Sequence, residues 1–110
     1  MKKRPTRDAI LNCALLACVA TWPDKERLAK YVSDNELTDQ KMAIEVEVNS
    51  VVSRTESYLY SQERGVKWSE DFEKQFFKYL TEHHPWLSQQ GFSRLMGFSK
   101  WLCWHEGLNA

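Results

Sequence analysis

A proline placed between two aromatic helical segments constrains this chain more than any other feature. Pro85 lies within residues 66–109, a stretch that holds ten of the fourteen aromatic residues in the sequence. Proline lacks the N–H group of a helical hydrogen bond and restricts the residue before it, so one continuous helix through this stretch is excluded. The stretch therefore predicts a C-terminal helical hairpin that builds much of the core.

Capping signals mark both helices of this hairpin. Ser69 and Ser88 each precede a helical pattern and can accept hydrogen bonds from the free N–H groups of a first turn. Leu87 can pack on Phe92 as a hydrophobic staple, and Gly107 is suited to end the second helix. Apolar positions recur at spacings of three and four, as in an amphipathic helix. They are Phe72, Phe76, Tyr79, Leu80 and His83 in the first helix and Phe92, Leu95, Met96, Leu102 and Cys103 in the second.

Two shorter helices are predicted in the first 35 residues. Thr6 can cap the first helix, and Pro23, which a first helical turn tolerates, can open the second. The second helix should end in the cluster 33–35, whose serine, aspartate and asparagine prefer turns. The inward positions are Ile10, Cys13, Ala14 and Ala17 in the first helix and Leu28, Tyr31 and Val32 in the second.

The first of these helices has an alternative interpretation. Basic residues 2–4 precede the nearly unbroken apolar run 9–20, a pattern that a signal-peptide core also shows. Pro5, Asp8 and Asn12 suit such a segment poorly and favour a buried helix. The run is only about half of the ~20 residues that a helix needs to cross a bilayer, so no membrane span is expected.

Residues 39–64 fit two kinds of secondary structure. Apolar residues at helical spacing favour one long helix, which Leu37 and Thr38 would open with a staple on Met42 and Gly65 would cap. Alternating apolar and acidic residues at 44–48 are typical of a strand, and a β-hairpin within 43–60 would make the fold α+β. The chain offers no obvious partner strand. The predicted fold is therefore all-α, with residues 1–110 in a single compact domain of four or five helices.

Composition limits the partners and the compartment. Fifteen basic and fifteen acidic residues leave no net charge, so the chain as a whole has no electrostatic attraction for nucleic acid or an anionic membrane. Three cysteines are an odd number, and they are expected to be buried free thiols in a reducing compartment. We therefore expect a cytoplasmic protein.

No group of residues has the spacing of a catalytic or metal site. His83, His84, Cys103 and His105 include good zinc ligands, but a specific site needs a full set of four. The adjacent histidines are explained more simply as cations at the negative end of a helix. Cys103 lies within an apolar helical segment, where a thiol is inert. The sequence predicts a non-enzymatic protein without metal or cofactor.

Two features favour a protein-binding role. Three glutamates at positions 45, 56 and 63 fall on one side of a helix to within about 20°, which predicts an acidic stripe. The last helix carries more tryptophan than one packing face needs, and tryptophan is enriched at interface hot spots. The predicted binding residues are Glu45, Asn49, Glu56, Tyr60, Glu63, Trp101 and Trp104.

The most concrete function that fits these features is an immunity or antitoxin-type inhibitor of a bacterial toxin. A helical nucleic-acid-binding regulator is the alternative from another class, and it would use Arg94, Lys100 and the basic start 1–7. A structural homodimer through the surplus aromatic surface is a third interpretation.

Overall fold

A computed structural model describes residues 5–110, and in this range the chain folds into five α-helices without a β-strand. A short 3-10 helix, Thr38–Gln40, comes before the third α-helix. The all-α fold with four or five helices is confirmed, and the β-hairpin at 43–60 is wrong because those residues lie within one helix. The helices are α1 Arg7–Cys18, α2 Lys25–Asp34, α3 Lys41–Tyr60, α4 Glu70–His83 and α5 Gln89–Glu106.

Side-chain caps begin α1, α4 and α5 as predicted. The hydroxyl of Thr6 accepts a hydrogen bond from the N–H of Ala9 at 3.1 Å. Ser69 and Ser88 do the same for α4 and α5, each at 3.1 Å. Gly107 follows α5 with φ +68°, the left-handed conformation that favours glycine. These helix boundaries follow from local sequence because both partners of each cap lie within three residues.

The boundaries of α2 and α3 differ from the prediction. Asp24 caps α2 by accepting from the N–H of Glu26 at 2.9 Å, so Pro23 stands outside the helix. No side-chain cap begins α3, and Met42 is 80% exposed rather than packed on Leu37. The helix ends at Tyr60 rather than at Gly65. The positive φ of Gly65 serves a separate turn, in which its N–H donates to the carbonyl of Gln62 at 3.0 Å.

All five helices contribute to one hydrophobic core. Phe76 is fully buried at its centre, stacked on Tyr58 with ring centroids 4.6 Å apart and edge-on to Phe92 at 5.8 Å. The apolar run 9–20 supplies α1, whose Leu15 is fully buried, as the buried-helix interpretation predicted. Cys13 is exposed, contrary to the prediction, because the side of α1 that faces the core carries Leu11, Leu15 and Cys18.

Two arginines from other helices cover the carbonyl end of α1, which has no basic residue in its own last turn. Arg94 of α5 donates to the carbonyls of Leu16 and Val19 at 2.9 and 2.7 Å. Arg27 of α2 donates to the carbonyl of Cys18, the last residue of α1, at 3.5 Å and to that of Trp22 in the following connection at 3.0 Å. Cations near the negative end of a helix are stabilising, so these contacts fix α1 against both neighbours.

Candidate functional site

A recess of about 340 Å³ lies beside the middle turns of α3, where the connection from α1 to α2 passes. Its apolar lining is Cys18, Pro23 and Val52, and its polar lining is Lys25, Asn49, Ser53 and Glu56. Two of the predicted binding residues, Asn49 and Glu56, therefore lie in the same concave surface. They are separated by seven residues, or two helical turns, so the sequence placed them on one side of α3 correctly.

Glu56 is the electrostatically unusual member of this recess. Its side chain is half-buried, and desolvation raises the pKa of its carboxyl above the ordinary value. No cation approaches it within 4.0 Å in the described part of the chain. A partly desolvated carboxylate without a counter-charge gains when a cation is brought to it. Glu56 is therefore suited to meet a basic group from outside.

Tyr60 stands one turn beyond Glu56 and is 53% exposed. The pKa of its hydroxyl is raised, first by desolvation and then by the carboxylates of Glu106 and Glu56 and the thiol of Cys103. The hydroxyl thus stays protonated between two acidic groups, one from α3 and one from α5. The two glutamates and the tyrosine form a locally negative surface with an aromatic ring in it.

The remaining predicted acidic residues do not continue this surface as a helical stripe. Glu45 is half-buried and lies 4.0 Å from the Lys41 ammonium, so part of its charge is compensated. Glu63 is exposed in the turn after α3, because the helix ends three residues earlier. The predicted alignment of three glutamates on one helix is wrong at Glu63, and Glu106 of α5 supplies the acidic neighbour instead.

The two tryptophans of α5 lie on a second surface together with Trp22, which the sequence predicts only as part of the break after α1. Trp22, 51% exposed, packs against Trp101 with ring centroids 5.7 Å apart. Trp101 stacks on His105 at 4.9 Å, while Trp104 is 73% exposed. Trp22 lies in a connection where no helical periodicity predicts which side chains meet. The only feature of the sequence that could have indicated a contact is a large aromatic residue beside a proline.

A buried polar cluster at the turn between α4 and α5 was also missed. His84 is only 3% exposed, and its Nε2 accepts a hydrogen bond from Nε of Arg54 at 3.1 Å. Its Nδ1 is buried without a hydrogen-bond partner among residues 5–110. Trp86 next to it donates to Glu47 at 2.9 Å. Burial first, and then Arg54, lower the pKa of His84, so its prediction as a charged helix-end residue is wrong.

His84 should make the stability of the protein depend on pH. The pKa of His84 is lower in the folded protein than the value of 6.5 for an unfolded chain. Its contribution to the free energy of unfolding is therefore complete above pH 6.5 and is lost progressively as the pH falls below 6.5. At pH 5.5 the loss is at most about 1.4 kcal/mol, since one pH unit corresponds to about 1.36 kcal/mol. Urea unfolding of the wild type and of His84→Gln at pH 7.5 and 5.5 measures this loss.

The exposed His105 provides the matched control for that experiment. His105→Gln should retain the wild-type difference between the two pH values, whereas His84→Gln should reduce it. An equal difference in all three proteins would show that His84 does not carry the pH dependence.

The cations that a nucleic-acid-binding hairpin would need are engaged within the protein. Arg94 is half-buried and holds the end of α1. The Lys100 ammonium lies 3.7 Å from a carboxylate oxygen of Glu73 and 5.6 Å from the ring centre of Trp68. Basic residues 2–4, which the same hypothesis uses, lie outside the described residues. In the described chain these contacts count against the nucleic-acid hypothesis.

Groups of three or more potential metal ligands do not occur within residues 5–110. Cys18 and Cys103 are buried free thiols, and desolvation raises the pKa of both, which disfavours the reactive thiolate. None of the helices described here combines the length and apolar character that crossing a membrane requires.

Comparison of the chain with protein-family models, curated proteins and solved structures found no match in any of the three.

Proposed function

We propose that this protein is a non-enzymatic protein-binding module whose α3 surface receives a basic segment of its partner. The α3 surface consists of Asn49, Ser53, Glu56 and Tyr60 together with the rim residue Lys25. The single observation that supports this role is the half-buried Glu56 carboxylate, whose pKa is raised by desolvation and which has no cationic partner in the described chain. A lysine or arginine of the partner would supply that missing charge.

The rest of the α3 surface suits a long basic side chain. The recess beside Glu56 provides apolar contacts from Val52 and Pro23 for the aliphatic part of such a side chain. The exposed ring of Tyr60 lies one turn beyond Glu56 on α3, and tyrosine is enriched in interface hot spots. Val52, Glu56 and Tyr60 thus lie within three turns of α3, and Pro23 from the connection between α1 and α2 adds to the apolar wall.

The concrete form of this proposal is an immunity or antitoxin-type inhibitor of a bacterial toxin. Enzymes that act on nucleic acids hold phosphates with exposed lysine and arginine, so a small domain that offers the half-buried Glu56 carboxylate to one of these cations can occupy such a surface and exclude the substrate. The free thiols Cys13, Cys18 and Cys103 are consistent with action in the cytoplasm.

Native mass spectrometry of the protein, purified gently from its own host, provides the first test. We expect a species that contains one additional polypeptide. The affinity for that polypeptide should fall about tenfold in Glu56→Gln and further in Glu56→Lys, since a close charge pair at an interface contributes roughly 1.5 kcal/mol or more. Glu63→Lys should weaken binding less, because Glu63 lies beyond the helix.

Glu26→Lys, at an exposed position of α2, is the matched control and should bind as the wild type does. Recovery of the protein with no second polypeptide would remove the proposal. A recovered partner that binds Glu56→Lys and Glu26→Lys equally well would leave a binding module but exclude the α3 surface.

A further inference from the structure

A groove of about 360 Å³ lies between the end of α1 and the first half of α5. Its apolar wall consists of Leu16 from α1 and Ala20 from the connection that follows. The side that α5 contributes is made of Gln90, Ser93, Arg94 and Gly97. These residues recur at spacings of three and four, so they lie on one side of the helix. In this part of the described chain, the guanidinium of Arg94 is the one charged group that lines the groove, and no carboxylate does.

The guanidinium of Arg94 is held in a fixed orientation with one edge open. Both of its hydrogen bonds leave from the same nitrogen, since Nη1 donates to the carbonyls of Leu16 and Val19 at 2.9 and 2.7 Å. Its Nε and Nη2 donate to no acceptor within residues 5–110, and neither is buried away from solvent. The N–H groups of Nε and Nη2 are parallel and match the two oxygens of a carboxylate. Arg94 thus presents a preformed fork to a ligand.

The positive charge of Arg94 is only partly compensated by the described chain. No carboxylate oxygen of residues 5–110 lies within 4.0 Å of its guanidinium. The carbonyl end of α1 offsets part of the charge, because a helix end carries about half an elementary charge. Gln90 is the second residue of α5, so the positive end of that helix also lies at the groove. A half-buried cation in this setting gains when an anion is brought to it.

We propose that this groove binds a carboxylate attached to a small apolar group. The carboxylate accepts two parallel hydrogen bonds from Nε and Nη2 of Arg94. The apolar group packs on Leu16 and Ala20, in the space that Gly97 leaves open. Two sources share this chemistry, a free carboxylic acid and the C-terminal end of a polypeptide. A nucleic-acid backbone fits less well, because it requires a row of cations and the groove offers one.

Titration of isotope-labelled protein with N-acetyl-leucine, followed by nuclear magnetic resonance, tests the site. This compound carries the carboxylate of a chain end beside an apolar side chain. A ligand of its size with one charged contact should bind with a dissociation constant of roughly 1 mM. The amide resonances of residues 90–97 should shift, because these residues line the groove. N-acetyl-leucinamide, which differs only in its neutral amide, should bind at least about tenfold more weakly.

Gly97→Glu supplies the anion from within the chain. A glutamate three residues after Arg94 can pair with the open fork, and it also repels a second carboxylate. The variant should fold, because a Cβ atom at Gly97 would meet nothing within 4 Å, and circular dichroism checks this. Its affinity for N-acetyl-leucine should be at least about tenfold lower than that of Gly97→Gln, which has the same size and no charge. Lys78→Gln removes a positive charge from an exposed position of α4 and should bind as the wild type does.

A comparison with hexanoate distinguishes the two sources of the carboxylate. Tighter binding of hexanoate would support a free acid as the ligand, and tighter binding of N-acetyl-leucine would support a chain end. Failure to bind either compound, equal binding of N-acetyl-leucine and its amide, or affinity unchanged in Gly97→Glu would overturn the site. Inorganic phosphate that binds as tightly as N-acetyl-leucine would also overturn it, because phosphate has no apolar part. None of these results bears on partner binding at the α3 surface, which shares no residue with the groove.

Discussion

Replacing Asn12 with leucine should lower the free energy of unfolding by about 3 kcal/mol, although leucine is the better helix former. The Asn12 amide joins α1 to the turn before α5. Its Nδ2 donates to the carbonyls of Trp86 and Asp8 at 2.6 and 2.9 Å. Its Oδ1 accepts from the N–H of Ser88 at 2.9 Å. Leucine would leave the partly buried groups of Trp86 and Ser88 unpaired, each at a cost of about 1–3 kcal/mol.

Steric crowding adds to this loss. A Cβ atom at the neighbouring Gly91 would come within 2.8 Å of the Asn12 oxygen, so the space around this side chain is already filled. Leucine branches at the position of the amide and has to displace α5. Overpacking of this kind is itself destabilising.

Urea denaturation of Asn12→Leu measures this effect, and Asn49→Leu is its matched control. Asn49 is also in a helix, but it is exposed and its side chain makes no hydrogen bond within residues 5–110. The same substitution there should be close to neutral, because only helix propensity changes. Equal losses at both positions would mean that the amide of Asn12 contributes nothing as a bridge.

Asn12 also illustrates what local sequence can and cannot reveal. The caps at Thr6, Ser69 and Ser88 were predictable because donor and acceptor lie three residues apart and the geometry of a first turn fixes both. The two partners through which Asn12 joins α1 to the turn before α5 lie 74 and 76 residues away. In the sequence this residue was only a polar interruption of an apolar run.

The errors at α3 have a related cause. Glycine was expected to mark the end of the helix, but a positive φ serves any tight turn, and Gly65 belongs to the next one. Because the helix ends at Tyr60, Glu63 is displaced from the predicted acidic stripe. Periodicity correctly placed Asn49 and Glu56 on one side because they are well within the helix.

Burial explains why two other residues were overlooked. The place of His84 at a helix end predicts a charged imidazole, but Arg54 of α3 covers it in the folded chain. Trp22 reads in the sequence as part of a helix break, but the fold brings it against Trp101 of α5. Both roles depend on which elements become neighbours, and helical periodicity carries no information about that.

Gly65→Ala should destabilise the protein by about 3 kcal/mol, the sum of a conformational and a steric cost. With φ +80°, an alanine pays about 1–2 kcal/mol for the left-handed conformation. Its Cβ would also lie 2.9 Å from the carbonyl oxygen of Leu108, a backbone atom that can move only with its chain. That movement disrupts the pairing in which the N–H of Val66 donates to Leu108 at 2.7 Å and the N–H of Ala110 donates to Val66 at 2.9 Å.

Gly107→Ala separates the two costs. Gly107 has a similar φ of +68°, but a Cβ there would meet nothing within 4 Å, so only the conformational cost of about 1–2 kcal/mol applies. Thermal and urea unfolding of both variants should therefore show a clearly larger loss for Gly65→Ala. Equal losses would mean that the segment after α5 yields freely at Leu108, and that its pairing with Val66 adds little to the stability of the fold.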